Sequence, residues 1–424
     1  MHDLGTDDNY LLRAHVNSGW AVTDHARRPS LDSGLMPTEE KTRERILNRR
    51  NIIGVLSVAV LSASVTTPGH AEMTVEIGGR IDAIYTYYDE DEIDMGSGSE
   101  FRRARLFAQG DIADDWKYKA QYDWAGNSTS LKDMYIRYTG WDLGNITLGQ
   151  FKQEQSLEAL MSAKYTAFIE KAMVTTLYPD RRIAVGFAGD SGPWHYAASL
   201  FGDQEGSDDD TSEGVGLGGR VTWGPKFGDN QFHFGGSYNW QEPGNNSWRV
   251  RSRPETHQTS TRLVDTGTLE DVDDINTYGL EAAWVLGPWS VQGEWLQQSI
   301  NRQESDLPEP DLSGWYLYGS WFITGETRSY KNGLFGRTKA SNAWEIAVRY
   351  SKLDLQDDGI QGGEEENWTF GINYYVTPYL RFQLNYVAAS ADPVTNNILN
   401  PDGSGTKFKD EPNAIAFRVH MDFK

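Results

Sequence analysis

The sequence predicts an all-β chain that crosses a membrane as an antiparallel barrel. Three observations lead there: side chains that alternate apolar and polar, an export signal, and no later apolar run long enough for a helical span. In WKYKAQYDW, Trp116, Tyr118, Ala120, Tyr122 and Trp124 share one face, while Lys117, Lys119, Gln121 and Asp123 share the other. Successive strand side chains point to opposite faces, so such a segment separates an apolar surface from a charged one. LRFQLNYV near the C-terminus repeats the pattern. A soluble sandwich would also suit it, and the N-terminus separates the two.

Lys41, Arg43, Arg45, Arg49 and Arg50 precede an apolar run from Ile52 to Val65, followed by Pro68, Gly69, His70 and Ala71. That order of basic region, short apolar core and small-residue cleavage site is an export signal ending at Ala71. The competing reading is a membrane anchor, but about 14 apolar residues fall short of the roughly 20 that a spanning helix needs. Met36 lies at the usual distance upstream of such a signal and is a candidate start. Residues 1–71 therefore read as an N-terminal extension plus cleaved signal peptide, and 72–424 as a single barrel domain.

No cysteine occurs anywhere in the chain, which excludes a disulfide framework. Trp, Tyr, Phe and Gly are abundant although mean hydropathy is −0.59, as expected when half of each strand faces water. With no helical span available, only closed strands satisfy the backbone in hydrocarbon.

Along the chain the alternation returns at intervals. Val75, Ile77, Gly79, Ile81, Ala83, Tyr85 and Tyr87 oppose Glu76, Arg80, Asp82 and Thr86; Met134, Ile136 and Tyr138 oppose Asp133, Tyr135, Arg137 and Thr139. Later, Trp344, Ile346, Val348 and Tyr350 oppose Glu345, Ala347, Arg349 and Ser351, and Leu380, Phe382, Leu384 and Tyr386 oppose Arg381, Gln383 and Asn385. Aromatic residues cluster at the ends of the apolar faces, where rings settle at a membrane–water boundary. The turn at Pro378 is short, whereas 202–213, 254–274 and 388–411 are long and polar. Short turns on one rim and long loops on the other is the barrel asymmetry. AIAFRVHMDFK closes the chain with Ile415, Phe417, Val419, Met421 and Phe423 on one face.

Several stretches, in order over nearly the whole of 72–424, resemble the porin O/P family of phosphate- and polyphosphate-selective outer-membrane porins. They are GGRIDA, SEFRRARLFAQGDIADDWKYKAQYD, KDMYIRYTGW, LGQFKQEQSLEALMSAKYTAFIEKA, PDRRIAVGF, WFITGETRSYK and AWEIAVRYSKLDL. The resemblance implies about 16 strands, a trimer, a third loop folded inward as a constriction and a column of arginines along the pore. It also implies a lysine facing the constriction at Lys164. Phosphate-specific members, by the same resemblance, carry a second lysine where this chain has Ala159, and that departure puts strict phosphate selectivity in question.

The residues supply chemistry of their own. In FRRARLFAQGD, Ala104, Leu106 and Ala108 share a face, which leaves Arg103 and Arg105 on the other. A lipid-facing Arg near the bilayer midplane costs roughly 2 to 4 kcal/mol, so that second face points into the lumen. Arg102 is expected just beyond the strand start or at a rim. For Arg103 and Arg105, pairing with Asp123 or Asp133 competes evenly with a pore role. In WRVRSRPE, Arg249, Arg251 and Arg253 alternate with Trp248, Val250 and Ser252, which spaces three guanidinium groups about 7 Å apart. That is a candidate ladder for oxyanions, because the planar guanidinium offers paired donors and keeps its charge; the alternative is an extracellular loop balancing nearby acids. The inward loop is expected from about Gln153 to Lys171, with a helical turn suggested by Leu157, Leu160, Met161 and Lys164. Arg181 and Arg182 follow it, with Arg182 on a lumenal face beside Ala184 and Gly186; either would support the constriction, but a solvated rim is the role favoured for them.

The net charge of −22 is unchanged by removing 1–71, since 8 basic and 8 acidic residues leave together. Acids concentrate at 89–94, 208–210, 270–274 and 364–366, expected as loops, and a basic waist can coexist with them because the Debye length is about 8 Å at physiological salt. No catalytic residue, metal or cofactor is expected: His195, His233, His257 and His420 lack ligand spacing, and GVGLGG lacks the lysine and helix of a nucleotide loop. The leading expectation is a passive pore for inorganic phosphate or other small anions in the outer membrane of a Gram-negative bacterium. Its expected partners are the bilayer, lipopolysaccharide and two further copies of itself, and not nucleic acid. A general, weakly selective pore is the alternative, and a periplasmic carbohydrate-binding sandwich the reading from another class.

Overall fold

Alternating segments form sixteen long strands, each hydrogen-bonded to its neighbours in the chain. They are β1 (Glu76–Asp89), β2 (Gly98–Ala113), β3 (Trp116–Asp123), β4 (Ser130–Trp141), β5 (Gly144–Lys152), β6 (Arg181–Ser191), β7 (Trp194–Phe201) and β8 (Val215–Trp223). The second half comprises β9 (Asn230–Glu242), β10 (Val272–Leu286), β11 (Trp289–Arg302), β12 (Asp311–Phe322), β13 (Ala343–Asp357), β14 (Ile360–Thr377), β15 (Leu380–Asp392) and β16 (Asn413–Phe423). β1 pairs with β16 from Gly79 opposite Phe423 to Asp89 opposite Asn413, so the antiparallel sheet closes without an edge. The computed structural model describes residues 73–204, 212–304, 306–338, 340–357, 359–392 and 409–423. The export signal, the acidic run at 208–210, Lys424 and most of 388–411 lie outside the described residues.

The outer face is apolar and rimmed by rings. Leu280, Leu317, Ile346, Phe370, Leu384 and Phe417 are exposed along it. At the short-turn rim Trp289 stacks on Trp321 at 4.8 Å and Trp344 on Tyr374 at 4.5 Å. Towards the other rim Trp315, Tyr350 and Trp368 pack in a row at 5.2 and 5.0 Å. Trp315 and Trp321 are separated along β12 by roughly 20 Å, at about 3.4 Å per residue, which suits an apolar band of about 25 Å. Among the described residues no helix is long and apolar enough to cross a membrane.

Tight turns at 114–115, 142–143, 192–193, 287–288 and 378–379 mark one rim. Gly192 and Gly287 take left-handed φ of 57° and 54° there, which a side chain would oppose. One connection breaks the expected pattern. Residues 323–342, between β12 and β13, fold back into the barrel from the short-turn rim. Gly333, at φ +67°, presents its carbonyl to Arg220 Nη2 at 2.8 Å, and a Cβ there would meet Thr222 Oγ1 at 2.7 Å.

Two connections on the other rim also turn inward. Residues 153–180, a longer stretch than expected, carry the single turn α1 (Leu157–Leu160), whose Ser156 Oγ accepts from Ala159 N, and a 3₁₀ turn at Met173–Leu177. Residues 243–271 hold a two-residue antiparallel pair, Arg251–Ser252 with Val264–Asp265. The long polar connection expected at 254–274 is thus part of the interior: Leu263 and Val264 are fully buried. Phe168, Val174 and Leu177 of one loop and Val250, Val264 and Leu269 of the other pack on Ile275, Leu296, Ile300, Leu312, Leu353 and Leu355, building an apolar core inside the barrel. Each such side chain contributes roughly 1.5–3 kcal/mol on burial. Glu364–Glu366, expected in a loop, belong to β14.

Replacing the lipid-facing Leu317 by Arg should destabilise the protein by about 2–4 kcal/mol, read as a lower midpoint of urea unfolding from lipid vesicles.

Candidate functional site

The two long inward loops lie against the β10–β16 wall, so the lumen-facing side chains there are covered: Gln298, Arg349, Thr369, Gln383 and Arg418 are all buried. A cavity of about 1070 Å³ stays open against β1–β6. Arg80, Arg103, Arg105, Lys119, Arg137, Lys152 and Arg181 line it from the strands, and Lys164, Lys171, Arg249, Arg251, Arg253, Arg262 and Arg337 from the inward segments. The lining carboxylates are fewer: Asp133, Glu154, Glu170, Asp180 and Glu255.

Arg349 holds the loops in place. Its guanidinium reaches Glu255 of the 243–271 loop at 2.5 and 3.2 Å and Glu158 of α1 at 3.4 Å, donates to the Glu170 carbonyl at 3.2 Å, and lies 4.4 Å over the Phe168 ring. Glu255 also accepts from Ser351 Oγ and Thr369 Oγ1. Burial pushes the Glu158 carboxyl up, and Arg349 offsets part of that rise.

Each sequence-predicted residue now has a place. Arg249, Arg251 and Arg253 line the cavity, while Trp248 and Val250 turn to the apolar core. They do so from the folded-in loop rather than from a barrel strand. Arg249 is tied bidentately to Asp265, and that bond raises its pKa. Arg253 Nε donates to the Thr259 carbonyl at 2.7 Å. Arg103 is buried against Asp82 at 3.1 Å and Glu170 at 3.5 Å, and Arg105 pairs with Asp123 at 2.6 Å. Lys164 lies 3.1 Å from Asp422.

One expected position is corrected, and one candidate stands apart from the cavity. Arg102 sits within β2, not at a rim. Asp82 is opposite Arg103 and Ala83 opposite Phe101, so Arg102 is the extra residue of a bulge. The bulge lets adjacent arginines both face inward, and Arg102 grips Glu170 at 2.8 and 3.2 Å. Burial favours a protonated Glu170, yet Arg102 and Arg103 outweigh it and hold this carboxyl well below its usual range. Arg182 does not line the cavity; it bonds back to the Arg181 carbonyl at 3.0 Å. Asp180, at φ +46°, breaks the alternation where the loop meets β6, and Arg181 takes the lining position, 2.8 Å from Asp133.

Lys152, Lys171, Arg262 and Arg337 were missed. Lys171, Arg262 and Arg337 sit in segments without periodicity, where no sequence signal gives direction. Arg262 lies among Arg249, Arg251 and Arg253; burial, then these neighbours, lower its pKa to about 10.

A closed wall, greasy outside and charged within, gives water-soluble solutes a way through a bilayer, and the class of protein so defined is the outer-membrane porin. Residues 75–423 match the family described as "Phosphate-selective porin O and P", and the chain belongs to that family. It resides in the outer membrane of a Gram-negative bacterium. Porin O of Pseudomonas aeruginosa is 24% identical over 79% of this chain and 87% of its own length. An uncharacterized protein of Caulobacter vibrioides is 33% identical over 69% of this chain; the matched region spans 63% of that relative. Among solved structures, the anion-selective porin from Comamonas acidovorans superposes with a TM-score of 0.56 at 12% identity, covering 83% of this chain and all of that one.

Arg349→Met should leave two buried carboxylates without their counter-charge, at a cost of about 3–5 kcal/mol. The expected result is a lower unfolding temperature on heat-modifiable gels together with a larger single-channel conductance as the loops detach.

Proposed function

We propose that the chain is a passive pore for small anions, with inorganic phosphate or polyphosphate the preferred class. The observation that carries this is the charge of the cavity. Asp133 lies between Lys119 and Arg181, Glu170 between Arg102 and Arg103, and Glu255 against Arg349. Among the described residues, Lys152, Lys171, Arg137, Arg251, Arg253 and Arg262 line the cavity without a carboxylate at ion-pair distance. Conduction needs several sites of moderate strength, and a run of unpaired cations supplies them. Arg249, Arg251, Arg253, Lys164 and Arg102 serve as pore-lining groups in this reading, and Arg103 and Arg105 as supports. Arg182 keeps no role in it.

A general, weakly selective pore is the second reading. It is favoured by the ion pairs that occupy Arg102, Arg103, Arg105 and Arg249, and by Ala159 in place of a lysine. In neither reading does the chain perform catalysis. We further propose assembly as a homotrimer, contact of the outer rim with lipopolysaccharide, and removal of residues 1–71 on export.

In planar bilayers under a KCl gradient, the reversal potential should lie on the chloride side, and changing Arg249, Arg251 and Arg253 together to Ala should move it toward the cation side. A cation-side reversal for the unaltered protein would overturn the anion reading. Sequencing of the protein purified from outer membranes should give Glu72 as its first residue.

A further inference from the structure

Three glutamates stand in a row near the start of β14, and the strand's alternation gives them different fates. Glu364 and Glu366 lie on the outer face, where Lys352 Nζ pairs with them at 2.7 and 3.1 Å. Glu365 points inward and is fully buried. Its Oε1 accepts from Asn367 Nδ2 at 2.9 Å, whereas its Oε2 has no donor. Ala391 of β15 lies opposite Glu365, and Asp410 is bridged to Ala391 from the other side. Residues paired across antiparallel strands share a face, so Glu365 and Asp410 flank one alanine on the inner face. Asp410 is also fully buried; its Oδ1 accepts from Glu92 N at 2.9 Å and its Oδ2 has no donor. Asn367, fully buried beside Glu365, leaves its Oδ1 unpaired as well.

The surroundings supply no counter-charge. Ile93, Met95, Leu263 and Ala389 cluster with Ala391 in an apolar patch. Lys409, the neighbour of Asp410 in the chain, pairs instead with Glu411. The charges that act on Glu365 are those of Glu255 and Asp410, both negative, and Glu255 is already held by Arg349. Two carboxylates shut away from water without a cation are costly. An ionised carboxylate can only accept, so neither can satisfy the other.

We propose that Glu365, Asp410 and Asn367 form an oxygen-lined site for a hard divalent cation, calcium, at the long-loop rim. Two carboxylates and an amide oxygen are hard donors, and the two negative charges match one divalent ion. Calcium tolerates an irregular set of oxygens, whereas magnesium demands near-octahedral geometry and gives up its water reluctantly, so the site favours calcium. Glu365 lies outward of the ring row at Trp368, on the side of the long loops. The ion would tie the chain around Asp410 to β14. Glu92 N on Asp410 and Glu411 N on Asp91 Oδ2, at 2.9 and 3.0 Å, carry that tie to the connection between β1 and β2. The outer mouth is then held by the cation, independently of which solute the pore passes.

The test is calorimetric titration of calcium, and separately of magnesium, into the protein purified in detergent and freed of lipopolysaccharide. One strong calcium site per chain is expected, with magnesium weaker, and the unfolding temperature should rise with calcium and fall in EGTA. Glu365→Gln with Asp410→Asn keeps the shape and removes both charges; it should weaken calcium binding about tenfold or more and abolish the calcium-dependent shift. Glu364→Gln with Glu366→Gln, on the opposite face of the same strand, should change neither. The titration of the unaltered protein needs no variant to fold. No strong calcium site there, a shift that survives in the Glu365 and Asp410 variant, or one lost in the Glu364 and Glu366 variant would overturn the proposal. Stabilisation by acid in EGTA with none from calcium would overturn it too, assigning the pair a shared proton. Reversal potentials play no part in these outcomes, so the anion reading is tested separately.

Discussion

The buried guanidinium of Arg349 is the interaction on which the interior depends. A charge without access to water is stable only if paired and hydrogen-bonded, and Arg349 is satisfied by Glu158, Glu255 and the Glu170 carbonyl. Those acceptors belong to two different connections, so one side chain of β13 fixes both. Its neighbours extend the grip: Asn373, Arg381 and Arg418 donate to the carbonyls of Ala167, Thr166 and Ile169. A row of wall donors thus meets a row of backbone acceptors, which a loop lacking secondary structure would otherwise leave unpaired.

Filling one side of the lumen determines what the other side can do. With the loops pressed on β10–β16, the open space is bounded by β1–β6 and by the cationic faces of the loops themselves. The guanidinium groups divide into two populations. Those behind the loops are structural, as Arg349 and Arg418 are, while those at the cavity surface carry net positive charge into a chain of net charge −22. The two signs coexist because fields in a narrow, screened lumen are set by groups within about 8 Å.

The segment 323–342 narrows the interior from the opposite rim. Arg328 anchors it, buried against Glu345, Ser290, Ser320 and the Tyr165 carbonyl. Arg337 anchors its far end on Asp422 and lies 4.8 Å over the Tyr379 ring. Asp422 thereby serves both Arg337 and Lys164, joining this segment to the inward loop through the last strand. The inward segments from both rims therefore form one hydrogen-bonded body inside the wall.

The wall was legible in the sequence. Alternation needs only adjacent residues, so the faces of β1, β3, β4, β13, β15 and β16 follow from the order of side chains alone. The inward course of 243–271 and 323–342 was not legible, because it rests on pairs such as Arg349 with Glu255 and Arg328 with Glu345, far apart or aperiodic in the chain. The position of Arg102 within its strand escaped for a related reason: a bulge depends on how two strands register, which neither strand encodes by itself. The amino-acid order alone thus determined a greasy-outside, wet-inside cylinder of strands. Only the tertiary structure decided which cations face the cavity, because a side chain in a loop takes its direction from the partner that satisfies its charge.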